Sequence, residues 1–208
     1  VIIIFLFFLL FDRENFLTLT ASLIGVTSLI FNAKGNPLGQ LLMIIFSIFY
    51  GIISFKFAYY GEMITYLVMT APMAVFSFIS WIKNPYNGNK SEVKVNRLNL
   101  KDIIVMLFLT AVITLIFYYI LDILHTVNMI WSTISVTTSF FAVFLTFRRS
   151  PFYALGYALN DIVLIIMWIF ASFSDVSYVS VAVCFIVFLV NDIYGFINWN
   201  KMQKHQNE

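Results

Sequence analysis

Hydrophobic residues dominate long stretches of this chain, and short polar breaks separate them. An α-helix needs about 20 mostly apolar residues to cross a bilayer. Seven segments approach this length: 17–31, 38–57, 62–81, 102–121, 129–147, 152–173 and 176–199. The pattern therefore predicts seven membrane-spanning helices.

Composition supports a membrane location for the whole chain. Of 208 residues, 62% are hydrophobic and 11% are charged, whereas a soluble domain is about half apolar and about a quarter charged. One globular core of this size cannot bury that excess. We expect an all-α, polytopic membrane helix bundle. The apolar stretch 1–11 has no basic residues and no cleavage site, which favours the tail of a truncated extra N-terminal helix over a signal peptide.

Basic residues are concentrated in alternate loops. One set of loops holds ten of the 12 Lys and Arg residues: Lys34, Lys83, Lys90, Lys94, Arg97, Lys101, Arg148, Arg149, Lys201 and Lys204. The other set holds only Arg13 and Lys56. The positive-inside rule predicts that the rich set and the C-terminus are cytoplasmic. A nucleic-acid partner is not expected, because no folded basic domain with aromatic platforms is present. The basic loop 82–101 is interpreted as a solvated connector.

Two parts of the sequence resemble each other. FSFISW (76–81) matches YGFINW (194–199), and Gly35-Asn36-Pro37 parallels Arg149-Ser150-Pro151. Two three-helix units of equal orientation need one extra crossing between them, and segment 102–121 supplies it. This predicts a 3+1+3 arrangement of parallel repeats, as in SWEET-type transporters. The predicted divisions are residues 1–16 (truncated helix and loop), 17–81 (first repeat), 82–128 (loop and linker helix), 129–199 (second repeat) and 200–208 (tail).

Two Asn-Asp pairs lie inside apolar segments. NDIVLIIMW begins at Asn160-Asp161, and NDIYGFINW begins at Asn191-Asp192. At 1.5 Å per residue, both pairs lie roughly 12–13 Å from the predicted cytoplasmic face, near the middle of a hydrocarbon core about 30 Å thick. Intramembrane acids indicate a functional site, with interhelical hydrogen bonding as the alternative. Adjacent helical residues project about 100° apart, so one member of a pair can line a cavity while the other packs.

The remaining chemistry-bearing residues point away from catalysis. Trp81 and Trp199 are predicted to lie in the aromatic belt at the membrane interface, whereas Trp168 is deeper and can stack on a ligand ring. Cys184 is unpaired, so neither a disulfide nor a metal cluster is expected. The sequence contains no Ser/His/Asp set, zinc-protease motif or phosphate-binding loop. We therefore expect no enzyme activity, no metal and no cofactor.

Several of these motifs together resemble the PnuC vitamin transporters. They are RRSP before an Asn-bearing helix, AYYGE ending at Glu62, and the closing NDIYGFINW. The resemblance spans about Asn15 to Lys204. It implies a SWEET-like homotrimer in the bacterial inner membrane that lets nicotinamide riboside equilibrate by uniport. A cytoplasmic riboside kinase then traps the substrate by phosphorylation.

The resemblance also implies a binding site, with departures. Members carry W-x-x-W-x-x-x-N, and this chain has Tyr153, Gly156 and Asn160 at the matching positions. Asn160 and Asn191 are expected to bind the substrate, with Asp161 and Asp192 beside them. An aromatic stack can be rebuilt from four residues: Tyr153, Tyr157, Trp168 and Tyr194. A thiamine-like or flavin-like vitamin is an alternative substrate. A non-transporting membrane protein is a further alternative, and it predicts a dry, packed midplane.

Overall fold

The computed structural model describes residues 2–11, 16–56, 59–126 and 128–208. The helices are α1 (Ile2–Phe11), α2 (Phe16–Ala33), α3 (Leu38–Lys56), α4 (Tyr60–Ile64), α5 (Ala71–Lys83), α6 (Leu100–Ile123), α7 (Met129–Phe147), α8 (Tyr153–Ser172) and α9 (Val179–His205). A π-helical turn, Thr65–Thr70, joins α4 to α5, and a 3₁₀ turn, Val176–Tyr178, precedes α9. Two short strands, β1 (Pro85–Tyr86) and β2 (Asn89–Val93), complete the described elements.

The predicted membrane-spanning helices are confirmed. Seven helices in the described part of the chain are long and apolar enough to cross a membrane. α4, the π turn and α5 together form one of these spans, Tyr60–Lys83. The N-terminal apolar stretch forms a further helix, α1, which packs against α2 and α9. Arg13 and Ala58, which belong to the charge pattern and to the AYYGE motif, lie outside the described residues.

Six of the seven spans form a closed ring. Going round it, α2 contacts α3, α3 contacts the span Tyr60–Lys83, that span contacts α7, α7 contacts α8, α8 contacts α9, and α9 returns to α2. The linker helix α6 packs mainly against α7, outside the ring. The ring surrounds one interior, to which every one of the six spans can contribute side chains.

The π-helical turn has a local cause in the sequence. Pro72 has no backbone N–H, so the carbonyl of Val68 lacks its usual helical donor. The backbone widens just upstream, where the N–H of Ala71 donates to the carbonyl of Tyr66, five residues earlier. Such single π turns are common at functional sites. Here the turn buries Tyr66 and Thr70 within the ring.

Four loop and tail segments meet at one end of the bundle, which we call the basic end. They are residues 34–37, 84–99, 148–152 and 200–208. The loop 82–101, interpreted from the sequence as a solvated connector, has one buried residue, Val93, and it also contains the β1–β2 hairpin. Asn87 and Gly88 both adopt positive φ and turn β1 back onto β2, as an Asn-Gly pair favours in a tight hairpin.

The hairpin and the residues after it contact two turns: the one that precedes α3 and the one that precedes α8. Val93 is fully buried, and its N–H donates to the carbonyl of Gly35 at 2.9 Å. The N–H of Asn96 donates to the carbonyl of Arg149, also at 2.9 Å. Gly35 and Arg149 both have positive φ. The side chain of Gln206 accepts from the N–H of Val95 at 2.7 Å, so the end of α9 is tied to the same loop.

Candidate substrate-binding cavity

A small cavity lies at the centre of the ring. Its lining comes from all six spans and consists of Leu29, Met43, Phe46, Tyr66, Thr70, Ser139, Tyr157, Asn160, Asp161, Phe188 and Asp192. The cavity volume is about 20 Å³, which is room for about one water molecule. Pockets that hold drug-sized ligands measure about 300–1,000 Å³. The structure is therefore closed around this site, and a larger ligand can enter only after the helices move.

Asn160 on α8 is held in one orientation by hydroxyl groups of α7. Its side chain is 2% exposed. The carbonyl oxygen Oδ1 accepts hydrogen bonds from Thr138 at 2.9 Å, Ser139 at 3.0 Å and Ser135 at 3.4 Å. Because a carboxamide has one oxygen and one NH₂ group, this arrangement reserves the two N–H donors for other partners. Asn160 can thus donate to an acceptor in the cavity.

Asp161 and Asp192 bring two carboxyl groups together across the α8–α9 interface. Their side chains are 4% and 2% exposed and lie within hydrogen-bonding reach of each other. The Oδ2 atom of each has no hydrogen-bond partner among the described residues. No Lys, Arg or His belongs to the described lining of the cavity. Two carboxyl groups this close can both ionise only at a cost in free energy, and a shared proton or a cation beside them lowers that cost.

Aromatic side chains form much of the cavity wall. Phe46 on α3 makes edge-on contacts with Tyr66 and Phe188, with ring centroids 5.9 Å and 5.5 Å apart. Tyr157 on α8 completes this set. Such surfaces can bind a flat heteroaromatic ring, either by stacking or by edge-to-face contact.

Two predicted residues of α9 do not line the cavity. Tyr194 is 51% exposed, and Asn191 is partly exposed. Asp192 is the residue that faces the interior, and steps of about 100° per residue carry both Asn191 and Tyr194 to other sides of the helix. In this closed structure the rotation of α9 about its axis places Asp192, and not Asn191 or Tyr194, in the cavity lining.

Two predicted aromatic residues are buried away from the cavity. Trp168 donates its indole N–H to the hydroxyl of Tyr50 at 2.8 Å and packs edge-on to Tyr59 at 4.8 Å. This aromatic cluster lies on the side of the cavity away from the basic end. Tyr153 packs against Trp199, with ring centroids 4.9 Å apart, on the opposite side. Each contributes to closing the cavity instead of lining it.

Trp81 and Trp199, here called the tryptophan pair, lie at the basic end. Both are 0% exposed, so their predicted place in an interfacial belt was wrong. Their rings contact each other with centroids 5.3 Å apart. The indole N–H of Trp81 donates to the carbonyl of Thr146 at 3.0 Å, and that of Trp199 to the carbonyl of Asn32 at 2.8 Å. Partnered indole groups are stable in the interior, which is why the pair does not need the interface.

The residues just before the tryptophan pair repeat this reciprocal pattern. The hydroxyl of Ser80 donates to the carbonyl of Phe147 at 3.3 Å. The amide of Asn198 donates to the carbonyl of Ala33 at 2.7 Å. Helix α5 thus bonds to the C-terminal end of α7, and α9 bonds to the C-terminal end of α2.

Comparison with known proteins agrees with this architecture. A family model described as nicotinamide mononucleotide transporter matches residues 15–201. The chain belongs to this family of membrane transporters. It is 26% identical over 202 residues to the nicotinamide riboside transporter PnuC of Neisseria mucosa, covering 95% of this chain and 76% of that protein. The crystal structure of the vitamin B3 transporter PnuC has the same fold, with a TM-score of 0.84, 23% identity, and coverage of 99% and 90%.

Family membership confirms two predictions made from the sequence. The resemblance to PnuC transporters is confirmed, as is the multi-pass helical fold. The chain is a membrane protein of a transporter family and is not an enzyme.

The structure explains one departure from the PnuC motif. The resemblance places tryptophan at the positions of Tyr153 and Gly156. A Cβ atom on Gly156 would lie 2.9 Å from the Cα of Ala142, so α7 and α8 approach too closely for any side chain there. The aromatic surface comes instead from Phe46, Tyr66 and Phe188 on other helices.

Several cavity residues were missed by sequence reasoning. Ser135, Thr138 and Ser139 recur at helical spacing on α7, and this hydroxyl stripe was a readable signal of interhelical bonding. Tyr66 and Thr70 depend on the π-helical turn, which Pro72 indicated only indirectly. Outside the cavity, Glu62 is 1% exposed, and the hydroxyl of Ser135 is within hydrogen-bonding reach of its carboxyl group.

Proposed function

We propose that this protein transports nicotinamide riboside across the bacterial inner membrane by facilitated diffusion. The observation that carries the proposal is the buried cavity at mid-bundle. Its lining combines the oriented carboxamide of Asn160, the carboxyl groups of Asp161 and Asp192, and an aromatic wall. Midplane sites between helical units are typical of secondary transporters. The relative from Neisseria mucosa, named a nicotinamide riboside transporter, supports the same substrate.

The lining favours a riboside over a mononucleotide. A 5′-phosphate is bound in proteins by Arg, Lys or backbone N–H groups, and no basic residue belongs to the described lining. A phosphate would instead approach Asp161 and Asp192 and be repelled by them. The non-transporting alternative predicted a dry and packed midplane. The cavity is small, but its two buried carboxyl groups have no basic side chain beside them in the described lining, which favours a ligand site.

Access to the cavity is proposed to alternate between two closures. The tryptophan pair closes the basic end, and the cluster of Trp168, Tyr50 and Tyr59 closes the other end. Rocking of unit 17–81 against unit 129–199 opens one closure at a time. The reciprocal bonds from Trp81 and Trp199 support treating these units as repeats. The positive-inside rule places the basic end, with the tail 200–208, in the cytoplasm.

Net uptake is proposed to depend on phosphorylation of the substrate by a cytoplasmic riboside kinase. A uniporter only equilibrates its substrate, so accumulation needs a reaction that removes it. The homotrimer implied by the resemblance belongs to the same proposal, and exposed apolar side chains on α6, such as Phe108 and Leu115, are available to lipid or to another subunit.

Binding and uptake by the purified protein test the substrate. We expect saturable binding of nicotinamide riboside and uptake into proteoliposomes, both lost in Asn160→Ala. Asn191→Ala is the matched control, because Asn191 lies outside the cavity, and it should behave like the parent. If thiamine or riboflavin binds saturably and the riboside does not, the compound that binds becomes the proposed substrate. No binding of any of the three would overturn the transport proposal.

The driving force is tested with the same vesicles. Without an internal kinase, the internal riboside concentration should rise only to the external one. Enclosed riboside kinase and ATP should produce continued accumulation. A flux that follows an imposed pH gradient in the absence of kinase would contradict uniport and indicate proton coupling through Asp161 or Asp192.

A further inference from the structure

We propose that Asp161 and Asp192 form a charge-selective element that recognises a positively charged heteroaromatic ring. The inference rests on the proposed function and specifies its substrate class: cationic nucleosides are accepted, whereas neutral and anionic analogues of equal shape are disfavoured. The geometry of the cavity carries this proposal.

The first observation is that the carboxyl pair is buried without a basic side chain in the described lining. The two side chains come from the neighbouring helices α8 and α9, are at least nine-tenths buried, and lie within hydrogen-bonding reach of each other. The Oδ2 atoms of Asp161 and Asp192 are unpartnered among the described residues. Basic side chains, which usually compensate buried acids, are missing from the described lining. The two acids have each other as hydrogen-bonding neighbours, but no positive charge balances them, so we expect a ligand to supply that charge.

The second observation is the aromatic wall facing the same small space. Phe46, Tyr66, Tyr157 and Phe188 line the cavity together with the two acids. The faces of aromatic rings attract cations, and the attraction increases when water is excluded. A lining that combines aromatic rings with two carboxyl groups and no basic side chain is complementary to a flat, delocalised cation.

Nicotinamide riboside has this chemistry. Its pyridine nitrogen bonds to the ribose, so the ring is a pyridinium cation. Addition of a hydride yields dihydronicotinamide riboside, which keeps the carboxamide and the ribose but has a neutral ring. Addition of a 5′-phosphate yields the mononucleotide, which keeps the cationic ring but has a net negative charge. These three compounds vary charge within one molecular framework.

The test measures dissociation constants of the purified protein for the three compounds by titration calorimetry. We expect the parent to bind the oxidised riboside about 10- to 100-fold more tightly than the dihydro form, as expected for a buried interaction with a charged group. The mononucleotide should bind more weakly than the oxidised riboside. Asp161→Asn and Asp192→Asn should abolish the preference, because each should weaken binding of the oxidised riboside and leave binding of the dihydro form almost unchanged. Asp122→Asn removes an exposed acid on α6 and should keep the parent's preference.

The outcomes separate this inference from the proposed function. Equal binding of both ribosides by the parent overturns charge selection and leaves riboside transport intact. The same holds if both Asn variants keep the parent's preference. If the parent binds neither riboside, the proposed function fails first. Should the Asn variants not fold, the comparison of the ligands on the parent alone still decides.

Discussion

The tryptophan pair and the central cavity are both buried, but they treat their polar groups in opposite ways. At the basic end, each indole N–H of Trp81 and Trp199 reaches a backbone carbonyl of another helix. In the cavity, Asp161 and Asp192 each keep a buried oxygen without a partner among the described residues. Burying a polar group costs free energy unless it is hydrogen-bonded.

This difference indicates that the tryptophan pair stabilises the bundle, whereas the central cavity is arranged for ligand binding. The tryptophan pair joins α5 to α7 and α9 to α2 and stabilises the closed ring. The cavity holds groups that destabilise the unliganded protein and gain partners when a ligand binds. Substitutions in the two regions should therefore change stability in opposite directions.

The largest effect is expected at the tryptophan pair. Trp199→Ala removes a fully buried indole that contacts Trp81 and Tyr153, and the free energy of unfolding should fall by about 3–5 kcal/mol. Trp81→Ala should cost a similar amount, because its bonding is reciprocal. Thermal or denaturant unfolding in detergent measures both. Trp131→Ala, at a partly buried position, is the control and should cost less.

The double variant at this pair sharpens the test. Residues in direct contact do not contribute independently. The combined loss for Trp81→Ala with Trp199→Ala should be smaller than the sum of the single losses. Losses below about 1 kcal/mol for either single change would show that this end is not where the ring is held.

The opposite sign is expected in the cavity. Asp192→Asn removes one of two contacting buried carboxyl groups, and the unliganded protein should become more stable by about 1–3 kcal/mol. Binding of the oxidised riboside should weaken about tenfold or more. Unfolding without ligand and calorimetry with ligand measure the two quantities. A clear loss of stability in the unliganded variant would mean that Asp192 is a structural partner and would remove the contrast between the regions.

A smaller effect is expected from the hydroxyl groups that orient Asn160. Thr138→Val keeps the shape of the side chain but removes one donor to Asn160 Oδ1. A hydrogen bond contributes about 0.5–1.5 kcal/mol, so the riboside Kd should rise roughly two- to tenfold. Thr133→Val is the matched control, because the hydroxyl of Thr133 bonds the carbonyl of Met129 on its own helix. Equal affinities of the two variants would show that Thr138 does not position Asn160.

The smallest effect is expected at the ion pair of the basic end. Arg148 donates to Asp102 at 2.6 Å, and their side chains are 33% and 14% exposed. Partly exposed pairs contribute at most about 1 kcal/mol, so Arg148→Gln should lower the unfolding free energy by less than that. The difference should shrink at high salt. A loss above about 2 kcal/mol that does not depend on salt would contradict this expectation and would show that the ion pair stabilises the fold almost as much as the tryptophan pair does.

Much of the fold was predictable from the sequence. The spans were readable because each must present about 20 apolar residues to lipid, and the predicted segments agree with the helices to within a few residues. The hairpin was missed even though Asn87-Gly88 is a strong turn signal, because the loop was judged by its charge alone. Its docking through Val93 onto Gly35 is a long-range contact that no local pattern contains.

The site was predictable only in part. Asn160, Asp161 and Asp192 were predicted because polar residues in apolar helices are costly and therefore informative. Asn191 was placed in the same site because the repeated Asn-Asp motif suggested equal roles, and Tyr157 and Tyr194 came from the aromatic stack that the resemblance implies. The position of this motif along the helix predicts which residues lie near the midplane, but it does not predict how the helix is rotated about its axis.

The sequence by itself determined the number of spans, the clustering of basic loops and the depth of the two acids, because these follow from hydrophobic length and charge along the chain. Only the tertiary structure decided that Asp192 instead of Asn191 faces the ring interior, and that Trp81 and Trp199 bond across the bundle. Helix rotation and partner choice depend on how neighbouring helices pack, and packing is a property of the whole ring.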